Sequence, residues 1–166
     1  VLQAFVSEGL KPYIDGVVTF GAGHFYVSQS DKGGLVFGGD IDGYNSYARR
    51  GNLPMVEHVI EAGVAMIPGL ARVRVLRSWG GIMDMTMDGS PIIGPAWGLR
   101  NFWLNEGHSF GITAAGGAGW QLAEWITEGE PTIDMLGVEP RRFGDYATKA
   151  YLRAKNEEAY ANVFTI

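Results

Sequence analysis

Short runs of apolar residues alternate with polar clusters over the first forty residues. Val17–Phe20 and Phe25–Ser28 are rich in β-branched and aromatic residues, and Leu35–Phe37 follows a cluster of Ser, Asp, Lys and Gly. Runs of this composition bounded by turn residues are typical of strands joined by hairpins. Residues 16–40 are therefore predicted to form an antiparallel meander, with its first two strands joined through Gly21–His24.

A helical period replaces this pattern after Gly43–Gly51, a polar stretch that we predict to be a surface loop. From Pro54 to Met66 the apolar residues recur three or four positions apart, and a proline suits the first turn of a helix. Pro68 and Gly69 would end that helix. Ala71–Trp79 alternates apolar and charged residues, which predicts a half-exposed strand.

The second half of the chain differs from the first in its pattern of apolar residues and glycines. Gly80–Gly94 is predicted to be a turn-rich segment and Asn101–Asn105 a short buried strand. Phe110–Thr127 is predicted to be one helix, whose first half consists largely of Ala and Gly. Because glycine inside a helix costs about 1 kcal/mol relative to alanine, this composition predicts close packing against another element. The segment from Arg141 onward is polar and carries no heptad.

Composition excludes several classes of protein. With 166 residues, 46% hydrophobic and 19% charged, the chain suits one folded domain and not a disordered tail. The absence of cysteine removes disulfides, thiolate nucleophiles, cysteine zinc sites and iron–sulfur clusters, and it favours a reducing compartment. The 25 glycines are about twice the average share. They indicate many turns or a backbone that approaches a flat ligand closely.

Charge and hydropathy argue against two kinds of partner. The net charge is −5 and the basic residues form no evident cluster, so we expect no nucleic-acid partner. Gly107–Ala123, the longest charge-free run, is too short and too polar to span a membrane, so we expect no membrane partner. Val1 follows no initiator Met or basic leader, and we expect it to be an internal residue of a longer protein or the start of a processed subunit.

The most specific short motif is Gly107-His108-Ser109-Phe110-Gly111, which fits the nucleophile elbow of an α/β-hydrolase, G-x-S-x-G. It indicates a serine acyl hydrolase. The order of the partners argues against this function, because the catalytic histidine of that fold follows the serine. The three histidines of this sequence are His24, His58 and His108, and none follows Ser109.

The same segment has a second interpretation. A strand that breaks at a glycine and opens a helix presents free backbone N–H groups and the positive end of a helix dipole. Such a helix start suits a phosphate, a carboxylate or an anionic ring. No Lys or Arg lies between Gly107 and Ala123, which favours a large neutral ring that acquires charge during reaction.

Other candidate residues carry weaker signals. The three scattered histidines lack the spacing of a metal site, so we expect none. Asp84 and Asp88 suit turns better than acid–base catalysis. Tyr26 and Asp40, on or beside the meander, favour structural roles on the sequence pattern alone.

Several segments together resemble a known family, the glycine/D-amino-acid oxidase superfamily of flavoproteins. The likeness is to its branch of heterotetrameric sarcosine oxidase β subunits and of dimethylglycine and sarcosine dehydrogenases. The segments that carry it are Tyr26–Gly33, Asp40–Asn45, Trp79–Asp88, Ser90–Gly94, Phe110–Gly119, Leu122–Ile126, Gly129–Pro131 and Glu139–Gly144. Together they extend over nearly the whole chain.

The resemblance implies an α+β fold and a C-terminal fragment of a two-domain flavoprotein. One part would belong to an α/β FAD-binding domain and the other to a substrate domain with an antiparallel or mixed sheet. Residues 1–78 would form the sheet and helix of the substrate domain, 79–130 would return into the FAD-binding domain, and 131–166 would be a C-terminal extension. The G-x-G-x-x-G fingerprint of dinucleotide binding is missing, so the N-terminal FAD-binding segment would have to come from elsewhere.

The implied activity is FAD-dependent oxidative demethylation of a secondary or tertiary N-methyl amino acid such as sarcosine or dimethylglycine. Folate or FMN could join FAD in a larger assembly with partner subunits, in the cytoplasm or, in a eukaryote, the mitochondrial matrix. A serine acyl hydrolase and a non-catalytic flavoprotein subunit are the alternatives. The residues implied for FAD are Gly81, Ile82, Met83, Gly107, Phe110, Gly111, Ile112 and Thr113. Those implied for the substrate are Tyr26, Asp40 and Met83, and no catalytic residue is identified.

Three positions depart from the family pattern. Thr113 stands where many simple amine oxidases carry a lysine over the flavin, which favours a dehydrogenase. Met83 stands where several relatives place a Tyr or Arg for the substrate carboxylate. Gly81 matches the place of a flavin-linking cysteine in monomeric relatives, so the resemblance implies no covalent attachment through this segment.

Overall fold

A computed structural model describes residues 1–21, 24–42 and 47–162. Parts of three predicted segments lie outside these ranges: the middle of the Gly21–His24 connection, the start of the Gly43–Gly51 loop and the end of the 131–166 extension. The end of the family-like segment Asp40–Asn45 lies outside them as well. The chain divides into two compact units, Val1–Met83 and the residues from Asp84 onward.

The first unit contains a five-stranded antiparallel sheet in the order β2-β3-β4-β1-β5. Its strands are β1 (Leu2–Gly9), β2 (Val17–Phe20), β3 (Phe25–Gln29), β4 (Gly34–Ile41) and β5 (Val75–Gly81). The predicted meander is confirmed by the pairing of β2 with β3 and of β3 with β4. The chain has the mixed α+β architecture that the sequence predicted.

Helix α1 (Leu53–Met66) covers the sheet and confirms the predicted helix. Its buried residues, Val59 and Gly63, meet the aromatic side of the sheet, where Phe5 and Phe37 stack with ring centroids 5.1 Å apart. A Cβ on Gly63 would lie 2.7 Å from the Phe25 ring, so the helix lies closer to the sheet than a side chain would allow.

The second unit pairs β6 (Ile92–Pro95) with β7 (Trp103–Glu106) and places helices α2 (Gly111–Glu128) and α3 (Lys149–Ala161) in the same unit. Its core consists of Ile93, Ala118, Trp125 and Met135. The predicted helix from Phe110 is confirmed within one residue at each end, and Gly129 ends it in the left-handed conformation, with φ 89°. Among the described residues, no helix combines the length and apolar character needed to cross a membrane.

Three predictions about local structure differ from what the structure shows in their bounds or burial. The strand predicted to begin at Ala71 begins at Val75, because Pro68–Arg72 forms a 3₁₀ turn that buries Leu70. The predicted turn-rich segment Gly80–Gly94 is shorter than expected, because its two ends belong to β5 and β6.

The strand predicted at Asn101–Asn105 runs from Trp103 to Glu106, and it is not buried, because β6 is its sole partner in the two-stranded sheet. The close packing predicted for the glycines of α2 finds no partner among the described residues and stays a prediction. A Cβ on Gly116, Gly117 or Gly119 would meet no atom of the second unit within 4 Å.

The contact between α1 and the sheet gives a stability prediction. Gly63→Ala should lower the free energy of unfolding by about 1–2 kcal/mol, because overpacking against Phe25 and Leu70 outweighs the gain in helix propensity. Gly69→Ala is the matched control, since its Cβ would enter open space, and it should be neutral or slightly stabilising. Urea unfolding of both variants measures the difference, and equal midpoints would contradict the close contact.

Candidate functional site

A tight turn over residues 84–90 opens the second unit. The Thr86 hydroxyl lies 2.6 Å from the Ser90 carbonyl oxygen and 3.0 Å from Asp88 Oδ1, and it is placed to donate to either acceptor. The backbone N–H of Ser90 donates to the same Asp88 oxygen at 3.1 Å. A carboxylate that accepts a backbone N–H two residues on is a usual way to fix a turn, so the turn has one defined shape.

Arg142 holds this turn from a distant part of the chain. Its Nε donates to Asp88 Oδ2 at 2.7 Å, and its Nη2 lies 3.1 Å from Asp88 Oδ1 and 2.8 Å from the Ser90 carbonyl oxygen. Partial burial acts to raise the pKa of Asp88, but hydrogen bonds from Arg142, Thr86 and the Ser90 N–H, with the arginine charge, leave that pKa below its ordinary value. The fork-shaped contact joins residues 54 positions apart.

Gly107 connects the turn to α2. Its backbone N–H donates to Asp84 Oδ2 at 2.7 Å, and its φ is 72°, in the left-handed region that favours glycine. A Cβ at this position would lie 2.2 Å from Thr86 Cγ2. Both the conformation and the space therefore require glycine here, and together they set the direction in which the chain enters α2.

The start of α2 carries no side-chain cap and no acidic residue in its first turn. Ile112 is 97% exposed, and a Cβ on Gly111 would meet only the Cβ of His108, at 3.8 Å. The backbone N–H groups of a first helical turn have no partner within the helix and concentrate partial positive charge. This helix start can therefore receive a flat group that carries or acquires negative charge.

The geometry of Ser109 does not support a nucleophile elbow. The nucleophile of that motif sits on a strained turn, whereas the non-glycine residues with positive φ among those described are His24, Asp40 and Asn101. The Ser109 hydroxyl donates to the Gly89 carbonyl at 3.4 Å, and His108 Nε2 lies 2.7 Å from Asn105 Oδ1. Neither contact activates the serine.

Two of the residues predicted to contact substrate lie on neighbouring strands of the first unit. Tyr26 on β3 stands opposite Gly38 on β4, and a Cβ on Gly38 would lie 2.8 Å from the Tyr26 hydroxyl oxygen. Burial raises the pKa of the Tyr26 phenol. Asp40, with φ 48°, has its carboxylate oxygens 3.7 Å from His24 Nδ1 and 3.4 Å from His58 Nδ1.

The remaining predicted residues fall in two groups. Gly81 ends β5, with Ile82 and Met83 following it in the first unit, and Ile82 is exposed. The others lie at the start of α2 in the second unit, namely Gly107, Phe110, Gly111, Ile112 and Thr113. Each group is continuous within its unit, and the roles assigned to both groups stay predictions.

The sequence pattern missed the residues that build the helix start. Two contacts join segments that are distant in the sequence: the hydrogen bond from Gly107 to Asp84 and the ion pair of Arg142 with Asp88. The local spacing of residues predicts neither contact. The isolated glycine after the short strand was the available signal, because a lone glycine at a strand end indicates a special backbone conformation. No group of three metal-ligating side chains occurs among residues 1–21, 24–42 and 47–162.

Models of known protein families match residues in both units of the chain. A family model described as FAD dependent oxidoreductase matches residues 3–125, and one described as FAD dependent oxidoreductase central domain matches residues 128–166. Sarcosine oxidase subunit beta of Rhizobium meliloti is 71% identical over 144 residues, which cover 86% of this chain and 34% of that protein. The mitochondrial dimethylglycine dehydrogenase of Rattus norvegicus is 30% identical over 155 residues, with 83% and 18% covered.

Solved structures share the fold. L-proline dehydrogenase from P. horikoshii has a TM-score of 0.77 and 27% identity, over 86% of this chain and 39% of that one. Glycine oxidase from Geobacillus kaustophilus has a TM-score of 0.75 at 20% identity, over 86% and 39%, and so bears on the fold alone. The chain thus spans about a third of the length of the sarcosine oxidase subunit that it matches.

The fit between Gly107 and Thr86 gives a prediction with an internal control. Gly107→Ala should cost about 2–4 kcal/mol of stability, the sum of left-handed strain and a clash with Thr86 Cγ2. Thr86→Ser removes that methyl group and keeps the hydroxyl, so adding it should restore part of the loss. Gly98→Ala, at a similar φ of 68° in open space, should cost about 1 kcal/mol and gain nothing from Thr86→Ser.

Thermal unfolding of the single and double variants measures this coupling. Additive effects of Gly107→Ala and Thr86→Ser would show that the two residues do not meet as described.

Proposed function

The chain belongs to the FAD dependent oxidoreductase family, and we propose on that basis that the protein containing it oxidises an N-methylated amino acid with FAD. The substrate would be a secondary or tertiary N-methyl amino acid such as sarcosine or dimethylglycine. The observation that carries this proposal is the 71% identity over 144 residues to a protein named sarcosine oxidase subunit beta. The match to a dimethylglycine dehydrogenase supports the same substrate class.

The start of α2 is the part of the chain that fits the flavin. When bound, FAD supplies the acceptor for the two electrons removed from the N-methyl group. The backbone N–H groups of Gly111, Ile112 and Thr113 would hold the negative charge that a reduced ring gains, as an oxyanion hole does with no cation. The uncapped first turn and the open space at Gly111 support this role.

The other candidate residues have roles in the same proposal. Phe110 and Gly107 would flank the flavin at the helix start, and Gly81 and Ile82 would contact it from the end of β5. Met83 would lie beside the flavin or the substrate.

On the substrate side, the Tyr26 phenol can donate a hydrogen bond to a carboxylate. A phenol is protonated at neutral pH, and burial raises the pKa of Tyr26 further. The carboxylate of Asp40, beside His24 and His58, would help to position the substrate amine.

The reaction balances as a dehydrogenation. The protonated substrate amine loses two protons and two electrons, which FAD would accept, and a carbon–nitrogen double bond forms; for a tertiary amine the product is an iminium ion. Water then adds to this bond and releases formaldehyde unless the carbon passes to folate. Folate or FMN would be bound outside residues 1–166, with the N-terminal FAD-binding segment or with partner subunits. Thr113 in place of a lysine favours a dehydrogenase over an oxidase. The protein would be located in the cytoplasm or, in a eukaryote, in the mitochondrial matrix.

The full-length protein tests this function. Its visible spectrum should show a flavin double band that sarcosine or dimethylglycine bleaches without air. Glycine, which lacks the methyl group, is the matched control and should leave the band unchanged within the same time.

Two outcomes would contradict the proposal. Absence of flavin together with fluorophosphonate labelling that Ser109→Ala abolishes would indicate a hydrolase. A bound flavin that neither N-methyl substrate bleaches would indicate a non-catalytic subunit.

A further inference from the structure

The two faces of the five-stranded sheet differ in what they carry. On one face, Phe25 and Val27 of β3 belong to the core that packs against α1. Side chains alternate between the two faces along a strand, so Tyr26, between these two residues, projects from the other face. We call this side of the sheet the Tyr26 face. The candidate substrate residue Tyr26 therefore lies on the side opposite α1.

One row of paired residues crosses the Tyr26 face from β3 to β5. Tyr26 pairs with Gly38 on β4. Gly38 pairs with Ala4 on β1, which pairs in turn with Trp79 on β5. Directly paired residues project from the same face of a sheet, so Trp79 shares the Tyr26 face, three strand spacings or about 14 Å away. The Tyr26 hydroxyl oxygen would lie 2.8 Å from a Cβ on Gly38, so the phenol leans across β4 towards the Trp79 side.

Arg77 stands on the same face as Trp79, two positions before it on β5. Its pairing with Val6, two residues after Ala4 on β1, agrees with this placement. The Cζ atom of Arg77 lies 5.0 Å from the centroid of the Trp79 ring. Contact with an aromatic face holds a guanidinium in place and leaves its N–H groups able to donate. The contact also draws the charge along β5 towards Gly81, where the candidate flavin residues begin.

The positive charge of Arg77 is unusual in its surroundings. Arg77 is the single basic residue in the five strands of the sheet, and its side chain is exposed. Within residues 1–21, 24–42 and 47–162, no oxygen atom forms a hydrogen bond or an ion pair with its guanidinium. Arg142, in contrast, is engaged by Asp88. The forked N–H donors of an arginine match the two oxygens of a carboxylate, so Arg77 has the chemistry of a carboxylate receptor.

The substrate class of the proposed function requires such a group. An N-methyl amino acid carries a carboxylate as well as an amine. None of the three candidate substrate residues, Tyr26, Asp40 and Met83, is a cation at neutral pH. Asp40 has the wrong sign for a carboxylate, and the Tyr26 phenol donates a single uncharged hydrogen bond. A charge-assisted contact with the carboxylate therefore has to come from another residue.

We propose that Arg77 binds the carboxylate of the substrate, and that Trp79 positions its guanidinium. The assignment rests on the proposed function, because it names the residue that recognises that substrate class. Two features support it together: Arg77 lies on the face and strand that connect Tyr26 with the candidate flavin segment, and its donors are unused by the described residues. Arg77 would thus select N-methyl amines that carry a carboxylate over those that do not.

Binding of methoxyacetate to the full-length protein tests this assignment. Methoxyacetate has the size of sarcosine, with an ether oxygen in place of the amine, so it has no amine to oxidise. Methoxyacetamide is its uncharged counterpart and the matched control ligand. Titration followed by the NMR signals of the methoxy protons measures both dissociation constants, and it requires neither turnover nor the flavin spectrum.

Arg77→Gln should raise the dissociation constant of methoxyacetate at least ten-fold, because a charge-assisted hydrogen bond is lost. It should leave the dissociation constant of methoxyacetamide within two-fold. Arg77→Lys should recover part of the loss, since an ammonium keeps the charge without the fork. Arg72→Gln removes the same charge from an exposed position in the 3₁₀ turn, outside the sheet, and should leave both constants within two-fold.

Several results would overturn the assignment. Unchanged methoxyacetate binding in Arg77→Gln, or no binding to the unsubstituted protein, would show that Arg77 is not the carboxylate receptor. Equal weakening of both ligands would indicate a structural role, and a loss of flavin from Arg77→Gln would assign the guanidinium to the cofactor. The proposed function fails separately, if methoxyacetate binding depends on Arg77 while sarcosine and dimethylglycine leave the flavin band unchanged.

Discussion

The second unit depends on one backbone hydrogen bond, from the Gly107 N–H to the Asp84 carboxylate at 2.7 Å. It fixes the chain just after the end of β7, where Gly107 has a left-handed conformation. Thr86 occupies the space that a side chain at residue 107 would need. The direction of α2 follows from this constraint, and with it the uncapped first turn that can stabilise negative charge.

The turn that supplies Asp84 is itself held by Arg142. Two guanidinium nitrogens reach the carboxylate of Asp88, and one of them also reaches the carbonyl of Ser90. A bidentate contact of this kind fixes orientation as well as distance. Arg142 therefore supports the turn at the beginning of the unit. The start of α2 is thus held by residues that precede the helix in the sequence and by a residue that follows it.

Local sequence pattern was sufficient to predict α1, α2 and the meander, because each carries its signal within one segment. Strand β1 could not be predicted from its pattern, since Gln3 and Ser7 are buried among its apolar residues. Gln3 Nε2 donates to the Trp79 carbonyl, and the Ser7 hydroxyl accepts from the Leu35 N–H, so neighbouring strands supply these two hydrogen bonds. Such partners are fixed by tertiary pairing and leave no periodic signal.

The same limit applies to the candidate site and to the C-terminal segment. The glycines at the α2 start were visible in the sequence, whereas Asp84 and Arg142 contact partners 23 and 54 positions away. Leu152 is the single large aliphatic residue of helix α3, but its hydrogen-bonded cap, Thr148 accepting from the Tyr151 N–H, was a signal available in the sequence. The residue types therefore indicated a site for negative charge at the start of α2. The contacts that fix the geometry of this site come from distant residues and could not be predicted.

We propose that the first turn of α2 holds the flavin. Amide hydrogen exchange at Gly111, Ile112 and Thr113 tests it most directly, in full-length protein with and without FAD. Exchange at these amides should be at least ten-fold slower with FAD bound, beyond any change at the first-turn amides of α3, a second helix start that serves as the reference. Equal exchange at the α2 start in the two forms would contradict it.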